Sequence, residues 1–267
     1  MIKKGGNHDI LKLTDYLNCE GNLNTTILAN LEKYGLEKDF QNVWFHIENN
    51  NICAVIMRYF THLYLYSMDC KCDMEELVSF ISFTGSDIIS GKRELLKEIA
   101  PYFKEMKLEH SNLMVHEGTY ETEYSDEAEK ARLDDCHEMA CLIYGIPEFA
   151  RFYNSLQEIE RGIRRRMELG LSRFYVRRAE GVIVSQAYTT VESNNYATIG
   201  GVVTRPEYRN KGMASSVVLA ITRDILKNNK SPNLLYSNPH AGRLYEKLGF
   251  KKVCDFSMLI SNEYLSA

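Results

Sequence analysis

The 267-residue sequence contains only 5 prolines and has no long apolar run. No stretch of uncharged apolar residues approaches the ~20 that span a bilayer, and the opening segment MIKKGGNHDILKLTDYL lacks the apolar core of a secretory signal. The net charge of −4 provides no general basic excess, which argues against nucleic acid as the partner. We therefore expect a cytoplasmic protein that binds neither membranes nor nucleic acids.

The cysteines give no sign of a disulfide framework or a metal site. Their number, 7, is odd, and no secretory signal is predicted, so paired cystines are not expected. Cys70 and Cys72 form a Cys-x-Cys pair, but no second pair follows at zinc-finger spacing. We interpret the cysteines as reduced thiols and predict no metal site.

The composition is that of a globular protein, with 45% hydrophobic and 25% charged residues. At ~150 residues per domain, the length predicts about two domains. Residues 118–132 are rich in acids and almost free of large aliphatic side chains, which is typical of a linker. We therefore predict domains over residues 1–117 and 118–267.

The hydrophobic pattern of the first half predicts helices before residue 38, three strands, and then helices around a further short strand. The predicted strands are 43–48, 52–60, 62–68 and 86–90, and the predicted later helices are 74–81, with Asp73 as N-cap, and 92–103, weakened at its end by Pro101.

The second half repeats this order. Helices are predicted over 134–144 and 155–169, the second with four arginines that we read as a solvated face: Arg161, Arg164, Arg165 and Arg166. A strand, a tight turn, a longer strand, a turn and the strand 196–204 follow. The shared order predicts an internal repeat.

A basic loop containing glycine separates strand 196–204 from a predicted helix over 217–229. The first N–H groups of a helix have no partners within it and lie at its positive end, so they bind anions. Arg209 and Lys211 add positive charge, Gly212 allows close backbone approach, and no acid occurs between Arg209 and Arg223. This segment is typical of a phosphate-binding loop; the alternative is a solvated turn before a helix.

A second motif lies downstream. Residues 234–250, LLYSNPHAGRLYEKLGF, predict a strand, a turn, a two-turn helix and a glycine stop. Together with the basic loop, this arrangement resembles the signature of the GNAT superfamily of acyl-CoA N-acyltransferases, strongly over residues 172–260. The residues at the signature positions are Arg209, Gly212, Ala214, Asn238, Ala241, Tyr245, Gly249 and Phe250.

The resemblance implies an α+β or α/β GNAT-like fold, with a mixed, mostly antiparallel central sheet flanked by helices. It also implies acetyl-CoA (coenzyme A) as co-substrate and no metal. The pyrophosphate would bind the loop, the pantetheine arm would pair with strand residues 201–204, and a strand N–H near Val202 or Val203 would polarise the thioester carbonyl. The residues so implied in cofactor binding are Val202, Val203, Thr204, Arg209, Asn210, Lys211, Gly212, Met213, Ala214, Ser215 and Asn238.

The resemblance further implies that Tyr245 protonates the leaving CoA thiolate. An attacking amine with a pKa near ~10 must lose a proton, yet strand 196–204 contains no acid. Glu192, just before this strand, is therefore our predicted base. The predicted reaction is direct attack on acetyl-CoA by a primary amine, on a small molecule or a peptide, in a ternary complex. The alternative is a non-catalytic acyl-CoA-binding or sensing module.

The two halves are also similar to the glycine N-acyltransferase-like branch, in which a degenerate N-terminal copy precedes an active C-terminal one. In the N-terminal half the corresponding loop, residues 69–76, reads DCKCDMEE and has no glycine. Carboxylates at a helix N-terminus stabilise the helix but repel pyrophosphate. We therefore expect the N-terminal half not to bind CoA, and a homodimer is one expectation for the assembly.

Overall fold

The computed structural model describes residues 1–49, 51–118, 127–150 and 153–266. These residues form thirteen strands and ten α-helices. The strands are β1 (Ile2–Lys4), β2 (Glu37–Lys38), β3 (Gln41–Glu48), β4 (Asn51–Tyr59), β5 (His62–Tyr66), β6 (Ile88–Lys92), β7 (Met106–His116), β8 (Glu129–Lys130), β9 (Phe174–Ala179), β10 (Val182–Glu192), β11 (Tyr196–Thr204), β12 (Ser231–Tyr236) and β13 (Phe250–Ser261). The helices are α1 (Ile10–Asn18), α2 (Thr25–Tyr34), α3 (Met74–Thr84), α4 (Arg93–Ile99), α5 (Cys136–Tyr144), α6 (Pro147–Ala150), α7 (Leu156–Glu168), α8 (Met213–Lys227), α9 (Pro239–Lys247) and α10 (Asn262–Ser266). None of these helices is long and apolar enough to cross a bilayer.

The chain divides into two compact units. Unit 1 comprises Met1–Met114, Leu235–Ser237 and Lys252–Ala267, and unit 2 comprises Val115–Leu234 and Asn238–Lys251. The division after Met114 falls close to the predicted boundary at residue 117, although neither unit is one continuous segment. The domain limits 1–117 and 118–267 stay a prediction, and most of the predicted linker, residues 119–126, lies outside the described residues.

Unit 1 contains the predicted helices and strands of the first half. Strands β3, β4 and β5 form an antiparallel meander, and α3 then connects β5 to the parallel strand β6. The carboxylate of Asp73 accepts a hydrogen bond from the Glu76 N–H at 3.0 Å, which confirms the predicted N-cap. Strand β13 completes this part of the sheet, since Phe256–Ile260 pairs antiparallel with Lys92–Ile88.

Unit 2 has the same order of elements. Strands β9, β10 and β11 are antiparallel neighbours, and α8 connects β11 to the parallel strand β12. The short strand β8 pairs with the outer edge of β9. Both units are therefore mixed, mostly antiparallel sheets flanked by helices, which confirms the predicted fold class.

The core of unit 2 lies where α5 and α7 pack on one face of β9–β11. It includes Met139, Ile163, Val176 and Val203, all buried. Helix α8 packs on the other face of the same strands through apolar side chains that include Val217 and Ile221. Helices thus cover both faces of the strand that leads into the predicted phosphate-binding loop.

Candidate functional site

The predicted phosphate-binding loop connects β11 to α8. The helix begins at Met213, four residues earlier than predicted, because its N-cap Gly212 adopts a left-handed conformation with φ of 79°. Within the helix, the Ser216 N–H donates to the Gly212 carbonyl at 3.0 Å. The N–H groups of Met213, Ala214 and Ser215 therefore have no partner of the intrahelical i→i−4 kind.

Positive charge lies beside these N–H groups. Arg209, Asn210 and Lys211 are exposed, and the first turn of α8 has no acidic residue. The Arg209 Nε donates to the Thr204 carbonyl at 3.3 Å, and the Lys211 ammonium lies 5.3 Å from the centre of the Tyr208 ring. The loop therefore combines backbone donors, the positive end of a 15-residue helix and two cations, which is the chemistry of an anion site.

The strand before this loop has a free edge. Strand β11 pairs with β10 as far as Thr204, but its parallel pairing with β12 covers only Tyr196–Ile199. Among the described residues, the backbone of 200–204 thus has a ladder partner on one side only. This is the stretch where a pantetheine arm is predicted to pair; Val203 there is buried and Val202 is partly exposed.

A β-bulge shapes this stretch. Gln186 is opposite Val203 and Tyr188 is opposite Gly200, so β11 contains one more residue than β10 across the same interval. Gly201 within the bulge has φ of 54°, and a Cβ added to it would lie 1.8 Å from Cε1 of Tyr188. The bulge therefore requires glycine at this position for two reasons, its backbone conformation and the Tyr188 ring.

Tyr245 lies on α9, and Asn238 comes directly before this helix. Tyr245 is 7% exposed, its ring packs at 6.1 Å from the Phe250 ring, and burial raises the pKa of its hydroxyl to about 12. Asn238 is the N-cap of α9, and its Oδ1 accepts from the His240 N–H at 2.8 Å. Asn238 thus has a structural role in the turn, and a cofactor role for its amide stays a prediction.

Glu192 is the last residue of β10 and lies in an ion-pair network beside the beginning of β11. Its carboxylate accepts from Arg173 at 2.9 and 3.1 Å, from Lys230 at 2.9 Å and from the Thr189 hydroxyl at 2.9 Å. Burial alone would raise the pKa of Glu192, but these hydrogen bonds outweigh burial and hold the pKa below its ordinary value. Glu192 is also opposite Ala197, five residues and about 15 Å along the strand from Val202. Both facts argue against the predicted role as general base.

Gln186 is a polar residue that the sequence analysis did not single out. It lies on the α5/α7 face of β10, since its cross-strand neighbours Val176 and Val203 both belong to that core. The side chain is 1% exposed, yet neither its Nε2 nor its Oε1 has a hydrogen-bond partner among the described residues. The signal in the sequence is a lone amide in the apolar strand VIVSQAY.

Arg166 lies on the same face and is an exception to the predicted solvated face of α7, on which Arg161 and Arg165 are exposed. Its guanidinium carbon is 4.7 Å from the centre of the Tyr188 ring and 5.7 Å from that of Phe174. The Nη2 atom is buried without a hydrogen-bond partner in the described part of the chain. Tyr153 hydrogen-bonds with Tyr188, and burial raises the pKa of Tyr153 to about 12. Polar groups with unused hydrogen-bonding capacity thus collect beside the bulged stretch of β11.

The fold is that of the GNAT superfamily. A GNAT-family acetyltransferase from Colwellia psychrerythraea shares 13% identity over 98% of this chain and 100% of its own, with a TM-score of 0.60. A GCN5-related N-acetyltransferase from Sphaerobacter thermophilus shares 12% identity over 97% and 94%, with a TM-score of 0.62. A tandem GNAT protein from the clavulanic acid biosynthesis pathway shares 10% identity over 97% of each chain, with a TM-score of 0.56.

Residues 179–258 match the family model described as FR47-like protein. The matched segment contains the bulged strand, the basic loop, α8 and α9. Among curated proteins, none matches the sequence.

Proposed function

We propose that the chain is an acyl-CoA-dependent N-acyltransferase that transfers an acetyl group from acetyl-CoA to a primary amine. The observation that carries this proposal is the junction of β11 and α8. There, a strand with a free backbone edge leads directly into a basic loop whose helix N–H groups have no intrahelical partners. A pyrophosphate and an extended amide-containing arm are the ligand chemistry that such a junction fits.

In this proposal the pyrophosphate binds the N–H groups that follow Gly212, with Arg209 and Lys211 as counter-charges. The pantetheine amides pair with the free edge of residues 201–204. A backbone N–H at Val202 or Val203 polarises the thioester carbonyl, an effect worth about 3 kcal/mol in the transition state.

The amine attacks the carbonyl directly, and the thiolate leaves as the tetrahedral intermediate collapses. Tyr245 keeps its proton throughout the physiological pH range, so its hydroxyl acts as a donor to the departing sulfur. The acceptor approaches along the α5/α7 face, where the Gln186 amide offers both donor and acceptor groups. The attacking amine loses its proton to water, because the Glu192 carboxylate is held by Arg173 and Lys230.

We also propose that the chain is a two-copy protein of the glycine N-acyltransferase-like type. The shared element order of the two units supports this, as does the tandem GNAT protein that aligns over 97% of each chain. In this proposal the acceptor amine belongs to a small molecule or a peptide. The protein is cytoplasmic and binds neither nucleic acid nor membrane. It assembles as a homodimer.

A non-catalytic acyl-CoA-binding module is the second candidate. It is favoured by the lack of a free general base: β11 contains no acid, and Glu192 is ion-paired with Arg173 and Lys230. Such a module would bind CoA at the same loop and release no thiol.

The test combines binding with turnover. Titration calorimetry should show CoA binding, and Lys211→Glu should weaken it about tenfold, or ~1.4 kcal/mol. The matched control is Lys227→Glu at the other end of α8, which should leave the affinity unchanged.

With acetyl-CoA and a panel of amines, free thiol should appear, and Tyr245→Phe should lower kcat about 100-fold. The exposed Tyr144 supplies the control Tyr144→Phe. Binding without thiol release for any amine would favour the second candidate, and absence of CoA binding would overturn both.

A further inference from the structure

Unit 1 contains a cluster of three possible metal ligands on the β3–β4 hairpin. The cluster consists of His46, Glu48 and Cys53, and one donor atom from each lies within 4.8 Å of the other two. None of these residues belongs to the acyl-CoA site proposed for unit 2. An imidazole, a carboxylate and a thiol so close together form a mixed donor set.

A β-bulge brings the three side chains together. His46 and Glu48 alternate along β3 and therefore share one face of the strand. In a regular ladder Cys53 would point to the opposite face, because its neighbour Ala54 is opposite His46. However, Ile47 pairs with Ile52, so Cys53 is the extra residue of the bulge and lies beside His46. Its Sγ is 3.2 Å from the His46 carbonyl oxygen.

One ring nitrogen of His46 has no hydrogen-bond partner within the described ranges. His46 is fully buried, and its Nδ1 has no hydrogen-bond partner among the described residues. Its Nε2 lies 2.9 Å from Oε2 of Glu76 and 3.7 Å from Oε1 of Glu48. Glu48 accepts from the Asp73 N–H at 2.8 Å and forms no ion pair with a lysine or arginine of the described residues. Glu76 is paired with the Met1 ammonium group at 2.9 Å, so Glu48 is the carboxylate that has no ammonium or guanidinium partner in the described part of the chain.

We propose that His46, Glu48 and Cys53 bind Zn²⁺, with a water molecule in the fourth position. A tetrahedral site with Zn–S of about 2.3 Å and Zn–N of about 2.0 Å places its donor atoms about 3.5 Å apart, so the cluster must contract by roughly 1 Å. The Cys53 thiol releases its proton to solvent as the sulfur bonds to the metal. Thiolate and imidazole ligands favour Zn²⁺ over Mg²⁺ or Ca²⁺, which prefer oxygen.

The test uses the full chain, reduced and stripped of metal with a chelator. Co²⁺ serves as the spectroscopic probe, because thiolate ligation gives a charge-transfer absorption band. We expect one Co²⁺ per chain with that band, its displacement by one equivalent of Zn²⁺, and a rise in Tm on addition of Zn²⁺. Chelator competition then gives the Zn²⁺ affinity of the wild type and of each variant.

Cys53→Ser should weaken Zn²⁺ binding about 100-fold or more and abolish the thiolate band. The matched control is Cys19→Ser, an exposed thiol on another segment of unit 1, which should bind as the wild type does. Glu48→Gln keeps the acceptor for the Asp73 N–H and should weaken binding about tenfold without loss of fold. Absence of a band at stoichiometric Co²⁺, or equal affinity in Cys53→Ser and Cys19→Ser, would overturn the site.

Discussion

At the scale of single residues, Glu192 shows how a carboxylate can be too well paired to act as a base. Its side chain is 14% exposed and bonded to Arg173 and Lys230. Because its pKa in the folded chain is below the unfolded value near ~4.3, it contributes stability above that pH and loses the contribution as the pH falls through the folded pKa.

We predict that Glu192→Gln lowers the free energy of unfolding at pH 7 by about 2 kcal/mol, because two partly buried cations lose their counter-ion. The deficit should shrink as the pH is lowered below ~4. Urea unfolding at several pH values measures both effects. The control is Glu160→Gln, which removes a more exposed carboxylate that pairs with Arg164 and His137 and should change stability little. A kcat that collapses in Glu192→Gln while the fold persists would restore Glu192 as the base.

For Gln186 we predict that one substitution raises stability and impairs activity. Replacing it with Leu removes two buried polar atoms that have no partner in the described residues, so Gln186→Leu should stabilise the protein by about 1–2 kcal/mol. Under the proposed function the same change should raise KM for the amine. Thermal unfolding and acceptor-dependent kinetics measure the two effects.

Thr222→Val is the matched control for this prediction. Thr222 lies on α8 and is also buried with an unpartnered hydroxyl in the described part of the chain. It lies on the other face of the sheet, so the control should gain stability with an unchanged KM. Equal KM values for wild type and Gln186→Leu would remove Gln186 from the acceptor side.

At the scale of elements, the bulge in β11 gives the clearest prediction. Gly201→Ala combines left-handed backbone strain with a clash against the Tyr188 ring, and we expect it to cost about 3 kcal/mol and to abolish CoA binding. Gly181→Ala, in the β9–β10 turn, carries the strain alone, because nothing lies within 4 Å of its added Cβ. It should cost only about 1 kcal/mol. Equal costs, measured by urea unfolding, would show that the ring yields to the new methyl group.

The sequence predicts elements well where a local signal marks their ends. The predicted Asp73 N-cap is confirmed, and the helix predicted over 92–103 ends at Ile99, where a 3₁₀ turn that contains Pro101 begins. The start of α8 was placed four residues too late, since Ser215 and Ser216 are buried although they are polar. Neither bulge was predicted. A period of two along a strand indicates which face a residue occupies, and one inserted residue reverses that assignment.

At the scale of the whole molecule, the two units share an order of elements but differ at one loop. Helix α8 begins with Gly212 and no acid, whereas α3 begins with Asp73, Glu75 and Glu76 in its first turn. We therefore predict that calorimetry measures one CoA per chain, bound by unit 2. A stoichiometry of two would contradict the expected electrostatic exclusion from unit 1.

The site could be predicted from sequence as far as the basic loop and the downstream motif, because their residues are adjacent in the chain. The polar group around Gln186 and the ligand cluster around His46 could not, because long-range strand pairing and bulges assemble them. That each unit consists of separate chain segments could not be predicted either, since no change of composition marks residues 235–237 or 252.

The pairing of β13 with β6 has a consequence for the order of folding. Ile88 pairs with Ile260, about 170 residues later in the chain. While the ribosome extends the polypeptide, β6 must wait until β13 has been synthesised before this neighbour is available. Unit 2 has no such delay over its longest segment, Val115–Leu234. We therefore expect β6 to stay exposed to mispairing until β13 has emerged from the ribosome.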